Sequence, residues 1–246
     1  MVKYKCTVSY DGANFVGFQK QPNRRTIQGE IEAALTKMHK YSINIYSSGR
    51  TDTGVHAKGQ VFHFESELSI ETDQWKRALN TLLPRDIYLE QIVEIDKTFH
   101  ARFDAIEKEY RYYVYTTKER DVFRRNYAYH FPRPLDLPAI LEACQYLVGE
   151  HDFTTFSSAK ATVKGSRVRK LSEVSCRQNG DQYEFVFRGN GFLYHMVRIM
   201  VGVLLDVGTG KINPSKIPKL LAARNRQLAG DTAPPEGLYL WQVFYE

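Results

Sequence analysis

The sequence predicts an α+β chain, and three observations carry that prediction. Along the first hundred residues hydrophobic periodicity runs strand, helix, strand, strand, helix, strand, the order of a split βαβ or ferredoxin-like unit. The remainder repeats the same α/β character with longer insertions and no sequence-level repeat. At 246 residues and 43% hydrophobic content the chain can bury a sizeable core, as one large domain or two small ones. The reading adopted is two α/β halves, 1–104 and 105–246.

In chain order, residues 4–10 alternate as a first strand that Asp11-Gly12 ends. Residues 13–25 mix aromatics, amides and basic side chains without a period, so they form a loop whose composition suits phosphate and base contacts or plain exposure equally. Ile27, Ile31, Ala34, Leu35 and Met38 then recur at helical spacing behind Thr26 as N-cap. A short apolar run at 43–46 leads into a glycine-flanked loop, and an alternating run at 60–65 leaves it. Trp75, Ala78, Leu79, Leu82 and Leu83 make the stripe of a second helix, capped by Thr72 and stopped by Pro84. A strand at 87–93 closes the first half.

The second half opens with a strand at 108–115 that is aromatic on both faces, Tyr110, Tyr112 and Val114 lying on one and Arg111, Tyr113 and Tyr115 on the other. A helix follows, with Ile140, Leu141, Cys144, Leu147 and Val148 inward and Gly149 at its end. Residues 151–160 are aperiodic; with Lys160, Lys164, Arg167, Arg169 and Lys170 they read as a mobile basic insertion suited to a phosphate backbone. Strands at 168–176 and 182–187 form a hairpin over Gln178-Asn179-Gly180-Asp181, whose Asn-Gly is a turn signal. After Gly189-Asn190-Gly191 a helix runs from about residue 193 to 207, with Arg198 as a charge among apolar neighbours, then a short helix from Pro214 and a last strand.

Composition narrows the class of partner. Net charge is +6 and 13% of residues are aromatic, a balance that suits a polyanion with stacking bases. Cys6, Cys144 and Cys176 are odd in number and form no CxxC pair, which points to a reducing compartment and to three small buried hydrophobes. Residues 1–5 enter a strand pattern directly and no stretch approaches the roughly 20 apolar residues of a membrane span. The expectation is a soluble, cytoplasmic protein.

Chemistry concentrates in the loop Ser47-Ser48-Gly49-Arg50-Thr51-Asp52-Thr53-Gly54-Val55-His56-Ala57-Lys58. Its glycines permit tight geometry that presents the Asp52 carboxylate beside the Arg50 guanidinium, although Asx and ST turns alone would explain the same residues. Arg198, on an apolar helix, needs an acid partner because an unpaired charge in low dielectric is expensive; Asp52 is one candidate and a structural acid elsewhere is another. An ionised, oriented aspartate suits nucleophilic attack on carbon, as in a retaining glycosidase. A hydrolase of that kind would need a second carboxylate opposite Asp52, and no paired-acid pattern is visible.

Five ordered motifs extend the reading: Tyr10-Asp11-Gly12 with Gln19-Lys20-Gln21; Gly49 to Ala57 as written above; His100-Ala101-Arg102-Phe103 with Lys108-Glu109-Tyr110; Gly191-Phe192-Leu193-Tyr194-His195-Met196-Val197-Arg198; and Pro234-Pro235-Glu236-Gly237-Leu238. Together, over nearly the whole chain, they resemble the TruA family of tRNA pseudouridine synthases. The resemblance implies two ferredoxin-like, RRM-like halves sharing a continuous antiparallel sheet, and isomerisation of uridine at positions 38, 39 and 40 of the tRNA anticodon stem-loop. It implies Asp52 as nucleophile, Tyr110 stacked on the target uracil and a possible aid to proton removal from C5, Arg198 as basic partner of Asp52, and Arg50 as a hold on the displaced nucleotide. It further implies a homodimer acting on RNA and not DNA, without metal or cofactor. Phe18 and Tyr194 stand where this family often has tryptophan and histidine. The rival reading is a non-catalytic RRM-like RNA-binding module, for which Arg188 to Tyr194 is a partial RNP1 match lacking the first stacking aromatic.

Overall fold

The computed structural model describes residues 1–158 and 165–245. The chain divides into two compact units, Met1–Ile106 with Tyr239–Glu246, and Glu107–Leu238. The first is built from β1 (Val2–Tyr10), α1 (Ile27–His39), β2 (Tyr46–Ser47), β3 (His56–Ser66), α2 (Thr72–Leu82) and β4 (Ile87–Ile95). Its strands lie in the order β4-β1-β3-β2, all antiparallel, which is the split βαβ arrangement.

Alternation along β1 buries Tyr4, Cys6, Val8 and Tyr10 on one face. On that face Trp75 of α2 meets Tyr4 and Phe64 at ring-centroid distances of 5.6 and 5.5 Å. Thr26 caps α1 as expected, its hydroxyl accepting from the Gly29 amide at 3.2 Å. Helix α2 begins at Thr72 itself, with an extended Glu71 in the cap position and no side-chain cap. Leu83 turns extended before Pro84, which is why α2 stops there. The 43–46 run contributes only Tyr46–Ser47 to the sheet, because the Ile45 amide donates to Glu32 Oε1 (3.3 Å) in place of a ladder partner.

The second unit comprises β5 (Glu107–Tyr115), β6 (Tyr129–His130), α3 (Leu137–Leu147), β7 (Gly149–Asp152), β8 (Val168–Asn179), β9 (Gln182–Gly189), α4 (Met196–Gly208) and α5 (Ile217–Ala223). Its strands run β5-β9-β8-β7 antiparallel, with β6 parallel on β5. Tyr110, Tyr112 and Val114 lie opposite Phe187, Phe185 and Tyr183, an apolar face; on the other, Arg111 bridges Glu109 and Glu184 at 2.7 and 2.8 Å. Helix α4 is buried almost all round, which makes it the centre of this unit's core.

One sequence expectation changes here and one narrows. Residues 151–157 are anchored, not mobile: Phe153 and Phe156 are wholly buried, and Thr155 Oγ1 donates to the Leu220 carbonyl at 2.6 Å. Lys160 and Lys164 lie outside the described residues, so the basic insertion is seen only at its ends. The hairpin turns within the expected 178–181 stretch, at Gly180-Asp181, with Gly180 at φ +60 supplying the first turn position. The partial RNP1 run does not continue as a strand, since β9 ends at Gly189 and residues 190–195 lead into α4.

The last strand, β10 (Leu238–Phe244), pairs with the first unit. Tyr239 and Leu240 lie parallel to His56 and Ala57 at the start of β3, although in sequence they close the second half. All three cysteines are buried and free. No helix among the described residues is long and apolar enough to cross a membrane.

Candidate active site

The loop between β2 and β3 is held from both ends. Ser48, wholly buried, donates its amide to the Val61 carbonyl (2.8 Å) and its hydroxyl to Gln60 Oε1 (2.6 Å). Gln60 returns its amide NH₂ to the Gly49 carbonyl at 3.0 Å, so one buried side chain fixes where the loop begins. Further on, Thr51 is buried, and its hydroxyl sits 2.8 Å from that of Tyr10. A register shift between Val8 and Tyr10 in the β1–β3 ladder aims the Tyr10 side chain there. Burial holds the Tyr10 hydroxyl pKa well above its ordinary value, with hydrogen bonds to Thr51 and Gln60 opposing, so the group stays a neutral partner.

Asp52 opens a β-turn closed by the Val55 amide on its carbonyl (3.2 Å). Gly54 holds φ +78 at the third turn position, a type II requirement that glycine meets without strain. Asp52 is half-buried and Thr53 exposed, so the carboxylate stands at the rim of a rigid turn. Arg50, two residues earlier, is exposed.

The loop lies directly on residues 12–18. A Cβ on Gly12 would sit 2.0 Å from the Val55 carbonyl oxygen, and one on Gly17, already at φ +80, 2.9 Å from that of Thr51. Phe18 donates its amide to the same Thr51 carbonyl at 3.1 Å. Phe15 and Phe18 are buried against this contact, so the aromatics of the 13–25 loop are core, not base-stacking surface. Arg25 is likewise engaged, making a two-pronged pair with Asp86 (2.7 and 2.9 Å) and lying over the Phe15 ring. At the loop's exit buried His56 stacks on Tyr239 of β10 (4.6 Å), and its Nδ1 is 3.0 Å from the Gly12 amide.

The other two candidate residues belong to the second unit. Tyr110 is half-buried on β5, with the Phe192 ring edge-on to it at 4.9 Å and 75°. Arg198 occupies the first turn of α4, where a cation opposes the helix dipole. It is half-buried, and its Nε donates to the Ala233 carbonyl at 2.7 Å. A residue that local rules disfavour, yet held by a specific long-range bond, is the kind of exception that marks a functional position.

Tyr10, Gly12, Gln60 and Ala233 were not singled out by the sequence as positioning elements. A polar Gln60 at the head of the alternating 60–65 run was the available signal for one of them. Among the described residues no group of three or more His, Cys, Asp or Glu side chains is arranged to hold a metal ion.

Comparison with known proteins agrees with the motifs. A family model described as tRNA pseudouridine synthase matches residues 7–104 and 143–246. A protein named tRNA pseudouridine synthase A from Oceanobacillus iheyensis is 59% identical over 247 residues, covering 100% of this chain and 98% of the relative. One of the same name from Bacillus pumilus is 54% identical, covering 100% of both. A Bacillus cereus relative named tRNA pseudouridine synthase A 1 is also 54% identical, covering 100% of this chain and 99% of its own. With the matched segments spanning most of the sequence and the relatives aligned from end to end, the chain belongs to the tRNA pseudouridine synthase family.

Proposed function

We propose that this chain isomerises uridine to pseudouridine at positions 38, 39 and 40 of the tRNA anticodon stem-loop, with Asp52 as nucleophile. The observation that carries the reading is the Asp52 turn, a single carboxylate held at a rim by a type II turn, a buried Tyr10–Thr51 pair and the Gln60 clamp. Such rigidity suits covalent attack, because a nucleophile held in one geometry loses little entropy on reaching its transition state.

In this mechanism the Asp52 carboxylate attacks C1′ as the N1–C1′ bond breaks and the uracil departs with the bonding pair. The base turns, its C5 attacks C1′ and the carboxylate leaves. The C5 proton is lost and N1 gains one, so product and substrate are isomers and no oxidant or reductant enters. Tyr110 offers a face to replace the stacking that a flipped base loses, Arg198 is the basic partner of Asp52, and Arg50 holds the displaced nucleotide or its backbone. The basic run from Lys160 to Lys170 would position backbone phosphates without reading sequence. The enzyme works in the cytoplasm as a homodimer on RNA and not on DNA.

The test is tritium release from C5-tritiated uridine in unmodified tRNA. Wild type should release tritium and form pseudouridine; Asp52→Asn, nearly isosteric, should lose about 10³-fold or more in rate while keeping fold and tRNA affinity. Normal turnover by Asp52→Asn would remove it as nucleophile. Tight tRNA binding without release by either protein would favour the RRM-like binding module.

A further inference from the structure

We infer that residues 231–238 form a strap that sets the orientation of Arg198, and that Tyr112, which latches the strap, is a positioning residue for the uridine isomerisation. The inference rests on the role proposed above for Arg198.

Every contact in the argument lies within the second unit. Arg198 and Ala233 are bonded twice: Arg198 Nε donates to the Ala233 carbonyl (2.7 Å), and the Ala233 amide donates to the Arg198 carbonyl (3.0 Å). One side chain and its own backbone are thus tied to one residue of the strap. One turn along α4, a Cβ on Gly202 would sit 2.1 Å from the Asp231 carbonyl oxygen, so glycine is what lets the strap approach the helix this closely.

The strap is also fixed to β5. Tyr112 is wholly buried and its hydroxyl donates to the Pro234 carbonyl at 2.7 Å, next in sequence to Ala233. A Cβ on Gly237 would meet the Tyr112 ring and the Tyr113 carbonyl oxygen, each at 2.7 Å. Pro234 and Pro235 stiffen the segment between these contacts. Glu236 adds charge to the same place. Burial raises its carboxyl pKa, with its own backbone amide and Arg198 opposing; burial also raises the pKa of Tyr112, to which the Glu236 charge adds and which Arg198 opposes.

A guanidinium anchored through Nε has its plane chosen for it, so its remaining N–H groups point one way. A lysine cannot be oriented by this device, having no planar fork. That difference supplies the test. Wild type, Tyr112→Phe, Arg198→Lys and the double variant are compared by steady-state tritium release, with melting temperature and tRNA affinity measured on each.

Tyr112→Phe should lower kcat about tenfold with KM for tRNA within about twofold, and should have little further effect in the Arg198→Lys background. Equal losses in both backgrounds, or no loss in either, would overturn the inference, leaving Tyr112 as a packed tyrosine with a satisfied hydroxyl. Arg198→Lys with wild-type turnover would instead remove Arg198 from the chemistry, a failure of the underlying role that is visible without Tyr112. Should Tyr112→Phe fold poorly, Glu236→Gln carries the same cycle while keeping the strap's shape, with the same coupling expected and additivity overturning it.

Discussion

The Asp52 loop and the Arg198 helix turn are positioned by different means. Around Asp52 the partners are an adjoining strand residue, Gln60, a type II turn internal to the loop, and the 12–18 segment that follows β1. Arg198 takes its bond from Ala233, 35 residues further on, across a strap that is itself latched to β5. The first arrangement is close packing of backbone on backbone with almost no room for adjustment. The second is a hydrogen-bonded assembly in which one hydroxyl can be removed while the shape survives. The two should therefore fail differently, the loop through steric displacement and the strap through loss of orientation.

The largest effect is expected where backbone meets backbone. Gly12→Ala places a methyl 2.0 Å from the Val55 carbonyl oxygen, a neighbour that is backbone and cannot rotate away. The loop must move, at about 3 kcal/mol or more, and turnover should fall with the melting temperature. A Gly12→Ala protein of native stability and full activity would show that the loop is as adjustable as the strap. A smaller change sharpens the contrast. Tyr10→Phe keeps the ring but removes its hydroxyl, leaving the buried Thr51 hydroxyl without its 2.8 Å partner, costing about 1.5 kcal/mol and a modest part of kcat. Chemical denaturation with parallel kinetics measures both, and a stability loss without any kinetic loss would confine Tyr10 to the scaffold.

The same contrast explains what could be read in advance. The longer strands and helices of both units follow from periodicity, though the short β6 and β7 do not, and the Thr26 cap, the Pro84 stop and the turn at Gly54 follow from single residues whose backbone preferences are strong. The loop's tightness was legible because glycine announces it locally. Gly49 is the exception, since only Gly54 of the pair takes a positive φ. Partners distant in sequence were not legible. A two-residue period identifies a strand without naming its neighbour, so β10 gave no sign that it pairs with β3. The Pro-rich 231–238 tail has no period at all, and its packing on Gly202 and Tyr112 exists only after folding. Phe153 and Phe156 sit in a polar run whose composition hides their burial. The roles of Asp52, Tyr110, Arg50 and Arg198 came from motif resemblance, with chemistry supplying reasons why those residue types fit.

The smallest expected effect separates the loop from the sheet that carries it. His63 lies on β3 three residues beyond Gln60, buried beneath Tyr46, Phe99 and His100, whose rings are 5.2, 6.0 and 4.8 Å away. Its Nδ1 accepts the Ala101 amide at 3.1 Å, which requires the neutral ring in its Nε2–H tautomer. Burial is the main cause that brings its pKa down from 6.5 to about 4; His100 and Lys3 add to it, while Glu65 and Asp104 oppose. The unfolded chain then binds a proton near pH 6.5 that the folded protein refuses until about pH 4, so stability falls as pH drops through that window. Between pH 7 and 5 the loss should be about 1 kcal/mol after allowance for screening, or roughly 3 °C in melting temperature. His63→Gln keeps an acceptor for Ala101 and cannot titrate, so its melting temperature should be flatter across the same range. Identical slopes in the two proteins would assign the acid sensitivity to other groups, whereas a flattened slope with unchanged turnover at neutral pH would place His63 in the scaffold that holds the loop and outside the chemistry the loop performs.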